Sequence, residues 1–208
     1  MKINNYIGNF NLSSIFRKNT ENSIIMAKIS ELCDKFKNEN NLIDIVKIFN
    51  KDKALKMQSP STYIMDNYKF VIGTKENVQD YQKTLSMLNK YKVTCCPQIE
   101  KSASNKNKQY TMLVLKLPEN EGKMKNYLSN SKKIDTLAKC KFINDLETVA
   151  KKENLYNTLI PEDLDSIKVT SEGDLFISDW NYMEKFNNKF EKAQYFNHLR
   201  KMFNLILY

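Results

Sequence analysis

"SIKVTSEGDLFISDWNYM", Ser166 to Met183, is the stretch on which the reading of this chain turns. Two apolar-rich runs, "SIKVT" and "DLFIS", flank the turn residues Ser171-Glu172-Gly173-Asp174, which is the pattern of a short antiparallel hairpin. The second run finishes on Asp179 followed by Trp180. A carboxylate at the end of a strand can point into a cleft and hold a metal ion. The plainer alternative is an aspartate that caps the following turn.

Upstream of the hairpin the polar run "LYNTLIPEDLD" reads as a loop. Before it Ile134, Leu137, Ala138, Phe142, Leu146, Val149 and Ala150 recur at helical spacing and predict a long amphipathic helix. "YTMLVLKL" predicts a buried strand closed by "PENEG". "ENVQDYQKTLSMLNKYK" predicts a helix with Val78, Tyr81, Leu85 and Leu88 on one face and Thr74 as its cap. "ALKMQSPSTYIM" and "YKFVIGT", separated by Asp66-Asn67, predict an antiparallel pair. "EKSASNKNKQ" reads as a polar loop. Toward the amino terminus, Leu32, Phe36, Leu42, Ile45, Val46 and Phe49 predict one or two short helices, with a short strand at residues 23–27 ahead of them. The charged "NKDK" marks a break. The carboxy-terminal run predicts a helix whose Phe186, Phe190, Tyr195, Leu199, Met202 and Leu205 pack on the core.

Composition narrows the function classes. With 208 residues, 41% hydrophobic and 11% aromatic, the chain can bury a real core. No run approaches the about 18 apolar residues of a membrane span, and "MKINNYIGNFNLSSIF" lacks the apolar block of a Sec signal. The expected setting is the cytoplasm, or a host cell reached by a non-Sec route. Cys33, Cys95, Cys96 and Cys140 have neither disulfide-framework nor zinc spacing and read as reduced, mostly buried thiols. The net charge of +9 invites a nucleic-acid reading. However, the cations are lysines except for Arg17 and Arg200, and they alternate with acids, which is the pattern of a solvated surface rather than of phosphate-gripping arginine forks. His198, the only histidine, sits among Phe196, Leu199 and Phe203 and reads as a helix residue rather than a catalyst.

The order of elements resembles the protein-kinase fold in a compact form: strands, a helix, two strands, a linker, two helices, a loop and a small hairpin ending in Asp. The resemblance covers roughly residues 54–190. It implies an α+β, bilobal architecture, with an N-terminal extension over residues 1–50, an N-lobe-like part over 51–117 and a helical C-lobe-like part over 118–208. It also places "YTMLVLKLPENEG" as the hinge strand and linker. Kinases of this compact style occur among bacterial effectors injected into host cells, so that setting is implied by analogy alone.

Phosphoryl transfer in this family needs glycine amides over the phosphates, a strand lysine paired with a helix glutamate, a catalytic-loop aspartate, and a metal-holding aspartate. Aligned through the hairpin, the metal aspartate falls on Asp179, the asparagine position on Ser166 and the base position on Pro161, which cannot accept a proton. A two-residue shift brings in Asp163, which with Asp165 also reads as first-turn acids after a proline. The glycine loop becomes "MQSPSTY", without a glycine. Gly73 stands at the lysine position, with Lys69 and Lys75 nearby, and Gln82 replaces the helix glutamate. A competing register makes "IGNFNLSSIF" the glycine loop and "IIMAK" the lysine strand, with Lys28 as its cation.

The resemblance therefore implies a kinase-fold pseudoenzyme that binds or scaffolds a protein partner. The rival from the enzyme class is an active atypical kinase, with Asp179 for Mg²⁺, Asp163 as base, and Lys28 or Lys69 for the ATP phosphates. A Lys-rich nucleic-acid-binding protein is the third class.

Overall fold

A computed structural model gives the structure, described for residues 12–162 and 164–205. Two helices come first, α1 (Leu12–Asn38) and α2 (Leu42–Lys51). The second is started by Asn41, whose side chain accepts from the Asp44 N–H at 3.0 Å, satisfying one of the free donors of the first turn. Three strands follow, β1 (Lys56–Ser59), β2 (Thr62–Met65) and β3 (Tyr68–Thr74), then α3 (Lys75–Lys90), β4 (Gln98–Ser104) and β5 (Tyr110–Lys116). They form a five-stranded antiparallel sheet in the order β1-β2-β3-β5-β4. Met65 faces Tyr68 across a two-residue turn. Asp66 takes the left-handed conformation there, with φ 54°, as a tight hairpin requires.

After a linker with a 3-10 turn at Glu121–Lys123, the chain forms β6 (Lys125–Asn126), α4 (Tyr127–Asn130) and the long α5 (Thr136–Glu153). Next come β7 (Leu155–Asn157), α6 (Leu159–Glu162), the hairpin β8 (Ile167–Val169) and β9 (Leu175–Ile177), β10 (Met183–Lys185), and α7 (Lys189–Met202). The hairpin pairs as the sequence predicts, Ile167 with Ile177 and Val169 with Leu175, and Gly173 supplies the positive φ of its turn. The α+β, two-lobed architecture expected from the resemblance is the one observed: a small antiparallel sheet with its helix, above a mainly helical lobe, preceded by helices.

Alternation along β3 explains how the sheet is used. Tyr68, Phe70 and Ile72 face one side and Lys69, Val71 and Gly73 the other. The first face, with Tyr63, Met65, Ala103, Met112 and Val114, forms one core with Ile29, Leu32, Cys33 and Phe36 of α1 and Ile45 and Phe49 of α2. The second face contributes Leu113 and Leu115 to a larger core with α3, α5, the hairpin and α7. Consequently β5 is apolar on both faces, as a central strand covered on both sides must be. Buried Asn105 ties the cover down, its polar atoms all engaged as burial demands. Its amide donates to the Glu39 and Asn40 carbonyls at 3.2 Å, while its oxygen accepts from the Tyr110 N–H at 2.9 Å.

The lobes are fastened by polar contacts as well. Asp145 of α5 accepts from the Thr94 N–H and hydroxyl at 2.7 and 2.8 Å and from the Cys95 N–H at 3.2 Å. The Cys95 carbonyl in turn accepts from the Ile177 N–H at 2.9 Å.

Several expectations are corrected. Residues 23–27 are helical, within the 27-residue α1, because their apolar run supplies only half-buried Ile25 and Met26 to a helix face and leaves Ile24 in solvent. The competing lysine strand "IIMAK" is therefore helix. "EKSAS" belongs to β4, whose single fully buried side chain, Ala103, leaves a polar pattern that reads as loop. The loop before the hairpin carries β7 and α6. Leu137 and Phe190, expected to pack, are 74% and 71% exposed, since each lies near the start of its helix and turns away from the core.

Candidate functional site

Asp179 lies two residues beyond β9, half-buried, where the hairpin leaves the helical lobe toward the sheet. Its carboxylate accepts from the Asn181 N–H at 2.9 Å, and its carbonyl accepts from the Asn157 amide at 3.4 Å. Asn157 is buried, and its own oxygen accepts from the Leu159 N–H at 3.0 Å, so the Asp179 turn is held against the β7–α6 loop. Trp180 is fully buried and donates to the Ile177 carbonyl at 3.1 Å, which anchors the turn from below. Tyr81 of α3 anchors it from above, donating to the Ser178 carbonyl at 3.3 Å. Burial, with Asp179 nearby, pushes the Tyr81 phenol far above its usual value, so it remains a donor.

A groove of about 320 Å³ opens between the lobes here. Gln58 and Ser59 of β1, Thr62 of β2 and Lys69 of β3 form its upper wall, and Leu159, Ser166, Lys168, Ser178 and Asp179 its lower wall. Glu121 of the linker closes one end. A hollow of about 500 Å³ continues past Glu121, with Met57, Ile64 and Met124 along it.

Lys69 and Asp179 thus share one groove. The Lys69 ammonium stands 4.0 Å from a Glu121 carboxylate oxygen, and the two side chains are only 12% and 10% exposed. The second Glu121 oxygen and the Ser166 hydroxyl are buried and have no hydrogen-bond partner among the described residues.

The other sequence candidates lie elsewhere. Lys28 is on α1, paired with Asp52 at 2.7 Å and Glu31 at 3.1 Å, and is not in the groove. Asp163 lies outside the described residues. Gln82 is turned toward Ser102 of β4 at 3.4 Å, so the α3 side chain that reaches the Asp179 turn is Tyr81, one residue earlier on the helix. Gly73 is on the sheet face that carries Lys69, and an ideal Cβ there would stand 3.0 Å from Val78 Cγ2. His198 is exposed on α7. Cys33, Cys95 and Cys96 are buried and free; burial holds the Cys95 thiol well above its usual value and pushes Cys96 up to about 12.

Sequence reasoning misses Glu121 and the Tyr81 contact. "PENEG" reads only as a strand terminator, and nothing in its local pattern says which way Glu121 points. Asn120 shapes that turn by accepting the Gly122 N–H at 2.9 Å.

Solved kinase structures are similar to this chain. Vaccinia related kinase 3 is 12% identical with a TM-score of 0.41, over 64% of this chain and 48% of that one. WbdD with the kinase inhibitor LY294002 is 14% identical with a TM-score of 0.40, over 75% of this chain and 37% of that one. The bifunctional kinase-methyltransferase WbdD is 14% identical with a TM-score of 0.40, over 69% and 35% respectively. The chain spans half or less of the length of these structures. No family model and no curated protein matches it. Among the described residues no helix is long and apolar enough to cross a membrane, and no group of three or more His, Cys, Asp or Glu side chains converges as a metal site.

Proposed function

We propose that this chain is a kinase-fold pseudoenzyme that works as a binding or scaffolding module for a protein partner. The observation that carries the reading is Gly73. In the register set through the hairpin it takes the position of the transfer lysine, and a Cβ added there would stand 3.0 Å from Val78 Cγ2, which leaves little space for a side chain to emerge. The β1–β2 turn at Pro60-Ser61 offers no glycine for close approach of amides to phosphates, and Pro161 stands at the base position. Lys69 is engaged by Glu121 across the groove rather than by a glutamate of α3.

One observation favours the active-kinase alternative, namely that Lys69 and Asp179 line the same groove. In that case Asp179 would hold Mg²⁺ and Lys69 the phosphates. The nucleic-acid alternative is disfavoured because Lys28, Lys35, Lys37, Lys47, Lys83 and Lys141 are each paired with an acid. We place the protein inside a cell, its own or a host's reached by a non-Sec route; the buried thiols support a reducing setting.

The test is a thermal shift with Mg-ATP followed by incubation with labelled ATP and generic protein substrates. No shift and no label are expected. A shift with label incorporation that Asp179→Ala abolishes would establish the active kinase instead.

A further inference from the structure

Ser171 opens the turn of the β8–β9 hairpin and is exposed, as is Glu172 beside it. Its N–H donates to one carboxylate oxygen of Glu119 and its hydroxyl to the other, each at 2.7 Å. Glu119 belongs to the linker between the lobes, so this fork ties the linker to the tip of the hairpin. The neighbouring linker residues bond elsewhere: the Leu117 N–H donates to the Asn67 carbonyl at 2.8 Å, and Glu121 faces Lys69. The hairpin turn is closed without the Ser171 hydroxyl, by the Gly173 N–H on the Thr170 carbonyl at 3.0 Å and the Asp174 N–H on the Thr170 hydroxyl at 3.1 Å.

The surroundings of Ser171 are acidic in a chain whose net charge is +9. Glu172 follows it directly and Asp174 stands three residues on; of all the serines and threonines in the sequence, Ser171 alone has an acid at that third position. Kinases that select substrates by charge read such a pattern with cations of their own. The hydroxyl is within their reach, whereas that of Thr170 is half-buried and already engaged.

We propose that Ser171 is a phosphorylation site for an acid-directed serine/threonine kinase, and that the phosphate detaches the linker from the hairpin. In the transfer, the bond from the γ-phosphorus of ATP to its bridging oxygen breaks and a bond to Ser171 Oγ forms. ADP leaves, and the hydroxyl proton passes to the base of the modifying kinase. The product carries a charge of about −1.5 to −2 and only acceptor oxygens. It therefore removes one donor from Glu119 and sets a like charge against a carboxylate that can only accept. Lys141 lines the same small cavity as Ser171 and Glu119, and its ammonium, 3.2 Å from Asp174, gains the phosphate as a second anion. The linker thereby loses its hold on the helical lobe. The proposal goes beyond the pseudoenzyme reading and does not rest on it, because the chain here is a substrate.

The test is incubation of the full chain with Mg-ATP, with and without an added kinase of the casein-kinase type. Tandem mass spectrometry then locates the phosphate, and amide hydrogen exchange follows the linker over residues 117–124. One phosphate on Ser171 is expected with the added kinase, absent in Ser171→Ala and formed severalfold more slowly in Glu172→Gln. Linker exchange should be faster in the phosphorylated parent, and Glu119→Ala should reproduce that acceleration without phosphate. Melting curves identify any variant that fails to fold, and the position of the phosphate in the parent is decisive without variants. No phosphate on Ser171, or a rate indifferent to Glu172→Gln, would overturn the site. Phosphorylation with unchanged linker exchange would overturn the release. Label on Ser171 without the added kinase would overturn both this proposal and the pseudoenzyme reading.

Discussion

The Tyr81 hydroxyl donates to the Ser178 carbonyl at 3.3 Å, joining the α3 helix to the residue just before Asp179. Tyr81→Phe leaves that carbonyl without its donor and should destabilise the fold by about 1–2 kcal/mol in denaturant unfolding. The pH dependence follows from the raised phenol pKa. The neutral phenol is the native form, so its contribution is complete below the unfolded tyrosine value of about 10 and declines as pH rises toward the higher native value. Stability measured across alkaline pH should therefore fall less steeply in Tyr81→Phe than in the parent; equal slopes would exclude this role for the phenol.

Gly73 is predicted to resist substitution. Its added Cβ would meet buried Val78, whose branched side chain has little freedom to yield. Gly73→Ala should therefore cost about 1–3 kcal/mol. Val78→Ala removes the obstacle. In a double-mutant cycle the pair should show favourable coupling, and strict additivity would mean that the contact does not limit the site.

Acid should loosen the α1 cover through Asp52. Burial works against ionisation of this carboxyl, but the Lys28 ammonium at 2.7 Å and the Ala54 N–H at 3.1 Å outweigh it and hold the pKa below its usual value. The carboxylate's contribution is thus complete above the unfolded value of about 3.9 and is lost as pH falls through the lower native value. Asp52→Asn should lower neutral-pH stability by no more than about 1 kcal/mol, and its acid unfolding curve should be flatter.

Thiol reactivity should divide the cysteines. Cys33, Cys95 and Cys96 are buried with raised pKa values, whereas Cys140 is half-buried. In the native protein a thiol reagent should modify Cys140 alone at an appreciable rate, and the remaining three only on unfolding. Rapid native labelling of Cys95 or Cys96 would contradict their placement in the core.

The elements legible in the sequence are those whose packing imposes a simple period. β5 carries the unbroken apolar run Met112 to Leu115 because both its faces are covered, and α3 shows Val78, Tyr81, Leu85 and Leu88 at helical spacing because only one face is. The part of α1 around Ile24 is ambiguous because three adjacent apolar residues suit a buried strand as well as a helix, and only the tertiary partner decides. β4 escapes notice because its outward residues are polar and its one deeply buried residue, Ala103, is small. In the site, Asp179 is found from its position after the hairpin. Glu121 is not, because the direction of a side chain in a short linker turn is set by the lobes on either side of it. The contact between Tyr81 and Ser178 spans 97 residues and leaves no local trace.

The α1–α2 cover has a practical consequence for anyone trimming this protein. A fragment starting at β1 would keep every groove residue named above, yet it would present Tyr63, Tyr68, Phe70, Ile72, Met112 and Val114 to water as one continuous greasy sheet surface. Such a fragment should cling to itself or to chaperones, and any binding it displayed would report on that uncovered surface rather than on the groove.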